Sequence, residues 1–244
     1  MGTHSRKNWS PPINDDATYR VDLTSWASVT SEATTARRLL TNRTAATALR
    51  LVEEIHAGAQ QAMDASPNQG KHACHKGCPG CCHSMISVTA PEACAIAEWL
   101  RDNKRPEEVA AIRQHASENA AKGASLNRTA YAESMLWCPL LDSQLSCTTY
   151  DVRPLTCRAW NSLSLDACHD CYFSNHVNKK IPLDDHTHAI GQGIRSGLSA
   201  GIKGMGLDGQ HYELNSALIV ALDEPDAADR WIRGDEVFEQ CHSA

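Results

Sequence analysis

The chain is expected to be mainly α, with helices packed around an irregular cysteine-rich metal-binding core and few or no strands. Three observations lead there. Apolar residues recur at three- and four-residue spacing over much of the chain, which is the period of one face of a helix. Strict apolar–polar alternation, the mark of half-buried strands, is scarce. Nine of the 11 cysteines fall in two stretches with no single period, "HACHKGCPGCCH" and "WCPLLDSQLSCTTYDVRPLTCRAWNSLSLDACHDCYF".

Composition bounds the rest. With 244 residues, 42% hydrophobic and 21% charged, the chain can bury a real core. The formal net charge is -6 and no long basic run occurs, which argues against nucleic acid and anionic membrane as partners. The N-terminal stretch is too polar for a signal peptide, and Arg6 stands where a myristoylation signal requires Ser or Thr. The longest apolar run, "ALIVAL", falls far short of the roughly 18 residues of a membrane span. A cytoplasmic protein is expected. That compartment keeps thiols reduced, the cysteine count is odd, and adjacent Cys81 and Cys82 suit a disulfide framework poorly. The cysteines therefore read as ligands.

The elements follow in order. Residues 1–30 mix Pro, Asn, Asp, Ser and Thr and are expected as an extended arm packed through Trp9 or Trp26. Residues 31–244 are expected as a single helical domain, with a bipartite cysteine cluster over 70–172. From Ser31 to Met63 the pattern is that of one long helix, with Ala48, Val52, Ile55, Ala59 and Met63 on its stripe. "ASPNQG" stops it and leads into the first cysteine group. Thr89 then reads as an N-cap with Pro91 in the first turn, and Ala93, Ile96, Ala97 and Leu100 as the apolar stripe of the next helix. "RPEEVAAIRQHASENAAKG" is another, opened by Pro106 and closed by Gly123. The second cysteine stretch reads as short strands, turns and a helical turn wrapped around a site.

The last third is helical again. "HAIGQGIRSGLSAGIKGMG" sets Ile190, Ile194, Leu198, Ile202 and Met205 on one face and Gly193, Gly197 and Gly201 on another. Each interior glycine costs about 1 kcal/mol against alanine. Close helix packing is the favoured reason, with a ligand lying on that face as the other. "YELNSALIVALDEP" and "DAADRWIRGDEVF" read as two more helices, with Pro225 near their junction.

Within the cysteine groups, Cys78 with Cys81 and Cys168 with Cys171 have the C-x2-C spacing that lets two sulfurs reach one metal or cluster. Thiolates favour zinc and iron because both accept soft donors. Vicinal Cys81 and Cys82 fit one tetrahedral zinc badly, so one of them serves a second metal, another edge of a cluster, or chemistry. His72, His75 and His83 lean toward zinc if they are ligands; solvated or supporting roles stand beside that reading. Cys94 reads as a small buried hydrophobe, and Cys241 has no ligand neighbour. Cys74, Cys78 and Cys81 also spell the C-x3-C-x2-C of radical S-adenosylmethionine enzymes. Gly80 stands where those carry an aromatic residue, and helices follow rather than a β/α barrel, so membership is rejected. The spacing still suits three sulfurs on one cubane.

"CHKGCPGCC" followed by "CPLLDSQLSCTTYDVRPLTCRAW" resembles the YkgJ-type cysteine-cluster family, a zinc- or iron-chelating domain. The matching positions are Cys74, Cys78, Cys81, Cys82, Cys138, Pro139, Cys147, Tyr150, Arg153, Pro154, Cys157 and Arg158, within about residues 70–172. The C-terminal "YELNSALIVALDEPDAADRWIRGDEVF" is similar to the tail of bacterial members. The resemblance implies an eight-cysteine metal site. A more distant likeness to flagellin lysine methylases implies an iron–sulfur cluster, with S-adenosylmethionine as a candidate co-substrate.

The expected metal ligands are Cys74, Cys78, Cys81, Cys82, Cys138, Cys147, Cys157 and Cys171, with Cys168 the nearest exclusion. Arg153, Arg158 and Tyr150 are expected to support the negative centre, and Asp142 and Asp151 to stabilise turns. An iron–sulfur cluster of the 4Fe–4S kind is the favoured cofactor and zinc the alternative. Three functions stand open: a cluster-dependent enzyme acting on a protein or small molecule, a metal-handling or redox-sensing protein, and a structural or regulatory zinc module.

Overall fold

A computed structural model describes residues 19–173 and 180–242, with the side chains of Tyr19 and Val21 outside that description. Among the described residues ten α-helices and one two-stranded sheet account for the regular structure, so the chain is mainly α. Helix α1 spans Tyr19–Thr41 and α2 spans Ala45–Met63. The arm expected over residues 1–30 is thus already helical from Tyr19. Trp26 packs against the core from within α1, whereas Trp9 lies outside the described residues. The single helix expected from Ser31 to Met63 is two helices. Thr44 caps the second by accepting the Thr47 N–H on its side chain. A short polar residue that bonds local backbone competes with helix continuation there.

Three further helices follow the first cysteine group: α3 (Ala90–Asn103), α4 (Pro106–Gly123) and α5 (Arg128–Glu133). Thr89 caps α3 with Pro in the first turn, as the sequence suggests. The second cysteine stretch holds an isolated antiparallel bridge between Leu141 and Cys147, a 3-10 turn over Tyr150–Val152, and helices α6 (Leu155–Ala159) and α7 (Leu165–Phe173). Cys168 and Cys171 therefore lie one turn apart on a helix. The C-terminal third contains α8 (Asp185–Gly204), α9 (Leu214–Asp223) and α10 (Ala227–Arg233). Strands β1 (Ser87–Thr89) and β2 (His211–Glu213) pair antiparallel with Val88 opposite Tyr212, tying the exit of the first cysteine group to the entry of α9.

A main core runs through the described residues, and a smaller buried cluster of Cys168, Cys171 and Tyr172 packs against Cys81. Leu51, Ile55, Ile96, Leu100, Ile190, Ile194, Leu198 and Trp231 are all at most 1% exposed. Each such side chain contributes roughly 1.5–3 kcal/mol by leaving water. Cys94, 6% exposed, belongs to that core as a small apolar residue.

The glycines of α8 have a packing explanation. A Cβ on Gly193 would overlap the Thr24 carbonyl of α1, one on Gly197 the Ser28 carbonyl, and one on Gly201 would sit 2.7 Å from Thr35 Cβ. Ser31 Oγ donates to the Ile194 carbonyl across the same contact, at 3.0 Å. The flat face exists so that two backbones can touch. Gly191, which the face pattern does not include, does the same for α6: its Cβ would strike Ala159.

Candidate metal centre

The local chain sets up the sulfurs. Gly77, at φ +91, turns the segment between Cys74 and Cys78 through a left-handed conformation that suits glycine. Successive turns then place the Cys78 N–H on the His75 carbonyl (3.1 Å) and the Cys82 N–H on the Pro79 carbonyl (2.8 Å). The two cysteine groups are stitched together directly. Cys138 N–H donates to the Cys82 carbonyl at 2.7 Å, and Ala73 N–H donates to the Ser162 carbonyl at 2.8 Å. Ser162 N–H in turn lies 3.2 Å from Cys74 Sγ, as its donor.

These contacts bring the expected ligands around one partly open cavity of about 450 Å³. Cys74, Cys78, Cys81 and Cys82 line it from the first group; Cys138, Cys147, Cys157 and Cys171 line it from the second. Cys168 does not line it, although it is buried and close enough for its charge to act on Cys74. Among the described residues, no three His, Cys, Asp or Glu side chains converge so as to hold a single ion. The thiols surround a space and do not enclose a point.

Burial raises Cys74, Cys138 and Cys157 among these thiols. It pushes Cys74 up to about 11, against the Ser162 N–H, with the charges of Cys81, Cys78 and Cys168 adding to the rise. Cys81 is raised by the hydrogen bond with Cys82, then by burial. Cys138 and Cys157 are raised strongly by burial and, to a lesser degree, by neighbouring thiols. Arg153 acts the other way on Cys81 and Cys157.

The residues expected to support the centre divide. Tyr150 and Arg153 line the cavity, with the Arg153 guanidinium 3.9 Å from the Tyr150 ring centroid. The buried Arg153 Nε–H has no acceptor, and neither has the buried indole N–H of Trp160, another lining residue. Arg158 does not line the cavity. Its side chain turns to donate to the Asp151 carbonyl and, at 2.9 Å, to the Arg153 carbonyl, so it braces the turn that carries Arg153. Asp142 organises its own loop, accepting the Gln144 and Ser146 N–H groups at 2.9 Å each.

The histidines separate as well. His75 is exposed and lines the cavity. His72 donates to the buried Asp184 at 2.6 Å. Burial alone would raise that carboxyl, but the hydrogen bonds from Ser66 and His72 hold it below the ordinary carboxylate range. His83 is fully buried, donates from Nδ1 to the Ala132 carbonyl at 3.0 Å, and meets Trp137 and Tyr172 edge-on. Neither His72 nor His83 lines the cavity.

Glu92 is the positioning residue that the ligand pattern did not disclose. Only 3% exposed, it accepts from Thr89 N–H (2.9 Å), Thr89 Oγ1 (3.0 Å), Leu155 N–H (2.9 Å) and His56 Nε2 (3.1 Å). Leu155 opens α6, so this carboxylate ties the helix bearing Cys157 to the start of α3. Its signal was present in the sequence as Thr89-x-x-Glu92, a capping box. Burial would push the carboxyl up, but the His56 hydrogen bond and charge, with the two N–H donors, hold it at about 2.

Residues 73–177 match the family model described as "CxxCxxCC: Putative zinc- or iron-chelating domain". The first gap of this chain, Cys74-x3-Cys78, is one residue longer than that name spells. No curated protein and no solved structure matches the chain.

Proposed function

We propose, from the match of residues 73–177 to a zinc- or iron-chelating domain model, that the cavity holds iron as an iron–sulfur cluster of the 4Fe–4S kind in a cytoplasmic protein. The observation that carries this reading is that the eight expected thiols line one cavity without converging on a point. A lone zinc needs four donors at about 2.0–2.3 Å from one centre. A polyatomic cluster instead takes sulfurs from several directions around a larger volume.

The surroundings agree with a negative, sulfur-rich occupant. Four thiolates around a cluster carry net negative charge, and burying such charge requires compensating donors. Arg153, with its stacked guanidinium and unsatisfied Nε–H, supplies both a charge and a donor. Neither His72, held by Asp184, nor His83 lines the cavity, which favours an all-cysteine ligand set. A cluster bound here supplies one-electron transfer or Lewis-acid chemistry. The chain's own residues bind it, neutralise it and limit its contact with water. An enzymatic role on a protein or small molecule, with S-adenosylmethionine as a candidate co-substrate, fits this reading; a zinc module or a metal-handling protein would use the same sulfurs.

The test is a set of single substitutions assayed for bound metal. Cys78→Ser and Cys157→Ser are expected to lose most of the metal and much of the soluble yield. Cys94→Ser, in the core away from the cavity, is expected to keep its metal. Unchanged metal content in both ligand variants would remove the cavity as the binding site.

A further inference from the structure

Helix α1 has two apolar sides. Leu23, Ala27, Ser31, Thr34, Thr35 and Leu39 are buried on the side that packs on α8 and α2. The opposite side bears Val29 and Leu40, which are 66% and 71% exposed, far above the 43–45% of Leu145, Leu165 and Phe173. These two are not scattered. Trp26, Val29, Ala33, Ala36 and Leu40 follow one another at intervals of three, four, three and four residues. That is the seven-residue repeat of a coiled-coil seam, with Trp26, Ala33 and Leu40 at its a positions and Val29 and Ala36 at d. Glu32 falls at the flanking g position and Arg37 at e, and both are exposed. The Glu32 side chain makes no hydrogen bond or ion pair among the described residues. Arg37 meets one oxygen of Glu54 at 2.8 Å with its own side chain still 48% exposed, while Arg38 holds the other oxygen of that carboxylate.

We propose that this outer face of α1 docks a second copy of the chain, the two α1 helices lying parallel about a two-fold axis. Charge complementarity selects that partner and that direction. In a parallel pair a g residue lies beside the e residue five positions further along the other helix. Glu32 then meets Arg37 of the partner subunit, and the two-fold axis repeats the pair with the roles exchanged. An antiparallel pair would set g beside g and e beside e. Ser25, Glu32 and Leu39 make up the one row and Thr30 and Arg37 the other, so neither row offers an opposite charge. Along the seam Val29 and Leu40 supply the apolar area that leaves water, and Ala33 and Ala36 between them let the backbones approach closely. Arg37 can turn to the partner without stranding Glu54, which keeps Arg38. A helix of 23 residues offers about three such repeats, so the interface is small and the dimer reversible. No residue of α1 lines the thiol cavity, and the inference stands apart from the metal-centre reading.

The experiment is sedimentation equilibrium on the full chain over about 1–200 µM, the span of a weak homodimer, with metal content and melting temperature measured on every sample. A monomer–dimer equilibrium is expected. Leu40→Glu should raise its Kd at least about a hundredfold, because both copies of that side chain leave the seam. Glu32→Arg and Arg37→Glu should each weaken the dimer about fivefold by setting like charges together. Mixing those two variants in equal amounts should restore the parent affinity, since each then carries the charge that the other lacks. Metal content should be the same in all of them. A monomer at every concentration, a dimer indifferent to Leu40→Glu, or no recovery on mixing would overturn the proposal. A chain that stays monomeric yet melts lower with Leu40→Glu would assign the face to a segment of the same chain, and that too would overturn it.

Discussion

A single buried carboxylate shows how far local chemistry reaches toward the centre. Glu92 accepts four hydrogen bonds, two from the α3 cap Thr89, one from α2 and one from the first residue of α6, and it is held at about 2. In an unfolded chain the same carboxyl titrates near ~4.3. Its folded value is depressed, so its stabilisation is fully present above about pH 4.3 and is lost as pH falls toward 2. The gap corresponds to about 3 kcal/mol. Glu92→Gln is therefore expected to be less stable than the parent at pH 7, with the difference narrowing steadily between pH 4.3 and 3. Urea denaturation at a series of pH values measures this, and a difference that stays constant down to pH 3 would mean the carboxyl is not held ionised. Legibility at this scale was uneven. The eight cysteines were readable because thiolate chemistry restricts what so many clustered sulfurs do. The reach of Glu92 to α6 was not, because its contact with the Leu155 N–H exists only once α3 and α6 are packed together.

Among the elements, α8 is positioned by what it lacks. Its glycines meet the Thr24 and Ser28 carbonyls of α1 on one side and Ala159 of α6 on the other. Overpacking a close contact typically costs 1–3 kcal/mol, and here the obstacles include backbone that cannot rotate away. Gly197→Ala should lower stability by about 2 kcal/mol with little change in metal content, since it burdens only the α1 contact. Gly191→Ala should lower metal retention as well, because it pushes against the helix that carries Cys157. Thermal unfolding with metal analysis on both variants separates the two effects; equal metal loss would remove the special role of the α6 contact. The four-residue glycine spacing gave this face away in advance. The break between α1 and α2 was harder to see, because apolar spacing runs on across Thr44 while its side chain bonds the next turn. The helix over residues 165–173 was hidden by cysteines, whose ligand spacing masks any helical period.

For the whole molecule, metal binding and protonation are linked. Burial holds thiols such as Cys74, at about 11, in the neutral form near pH 7. Each sulfur that becomes a ligand must give up its proton. Titrating the metal-free chain with zinc as a probe should release about four protons per four-thiol site, and apparent affinity should rise with pH. Calorimetry in two buffers of different ionisation heat reads the proton number; a value near zero would place the metal on groups other than these thiols. No helix among the described residues is long and apolar enough to cross a membrane. Linkage of the two cysteine groups by the Cys138–Cys82 and Ala73–Ser162 backbone bonds makes the centre a property of the tertiary fold rather than of either stretch. The central claim is best tested by elemental and acid-labile sulfide analysis, with an absorption spectrum, on protein purified without oxygen. Iron and sulfide in equal amounts with a broad visible band are expected; a colourless protein with zinc at whole-number stoichiometry and no sulfide would contradict the cluster.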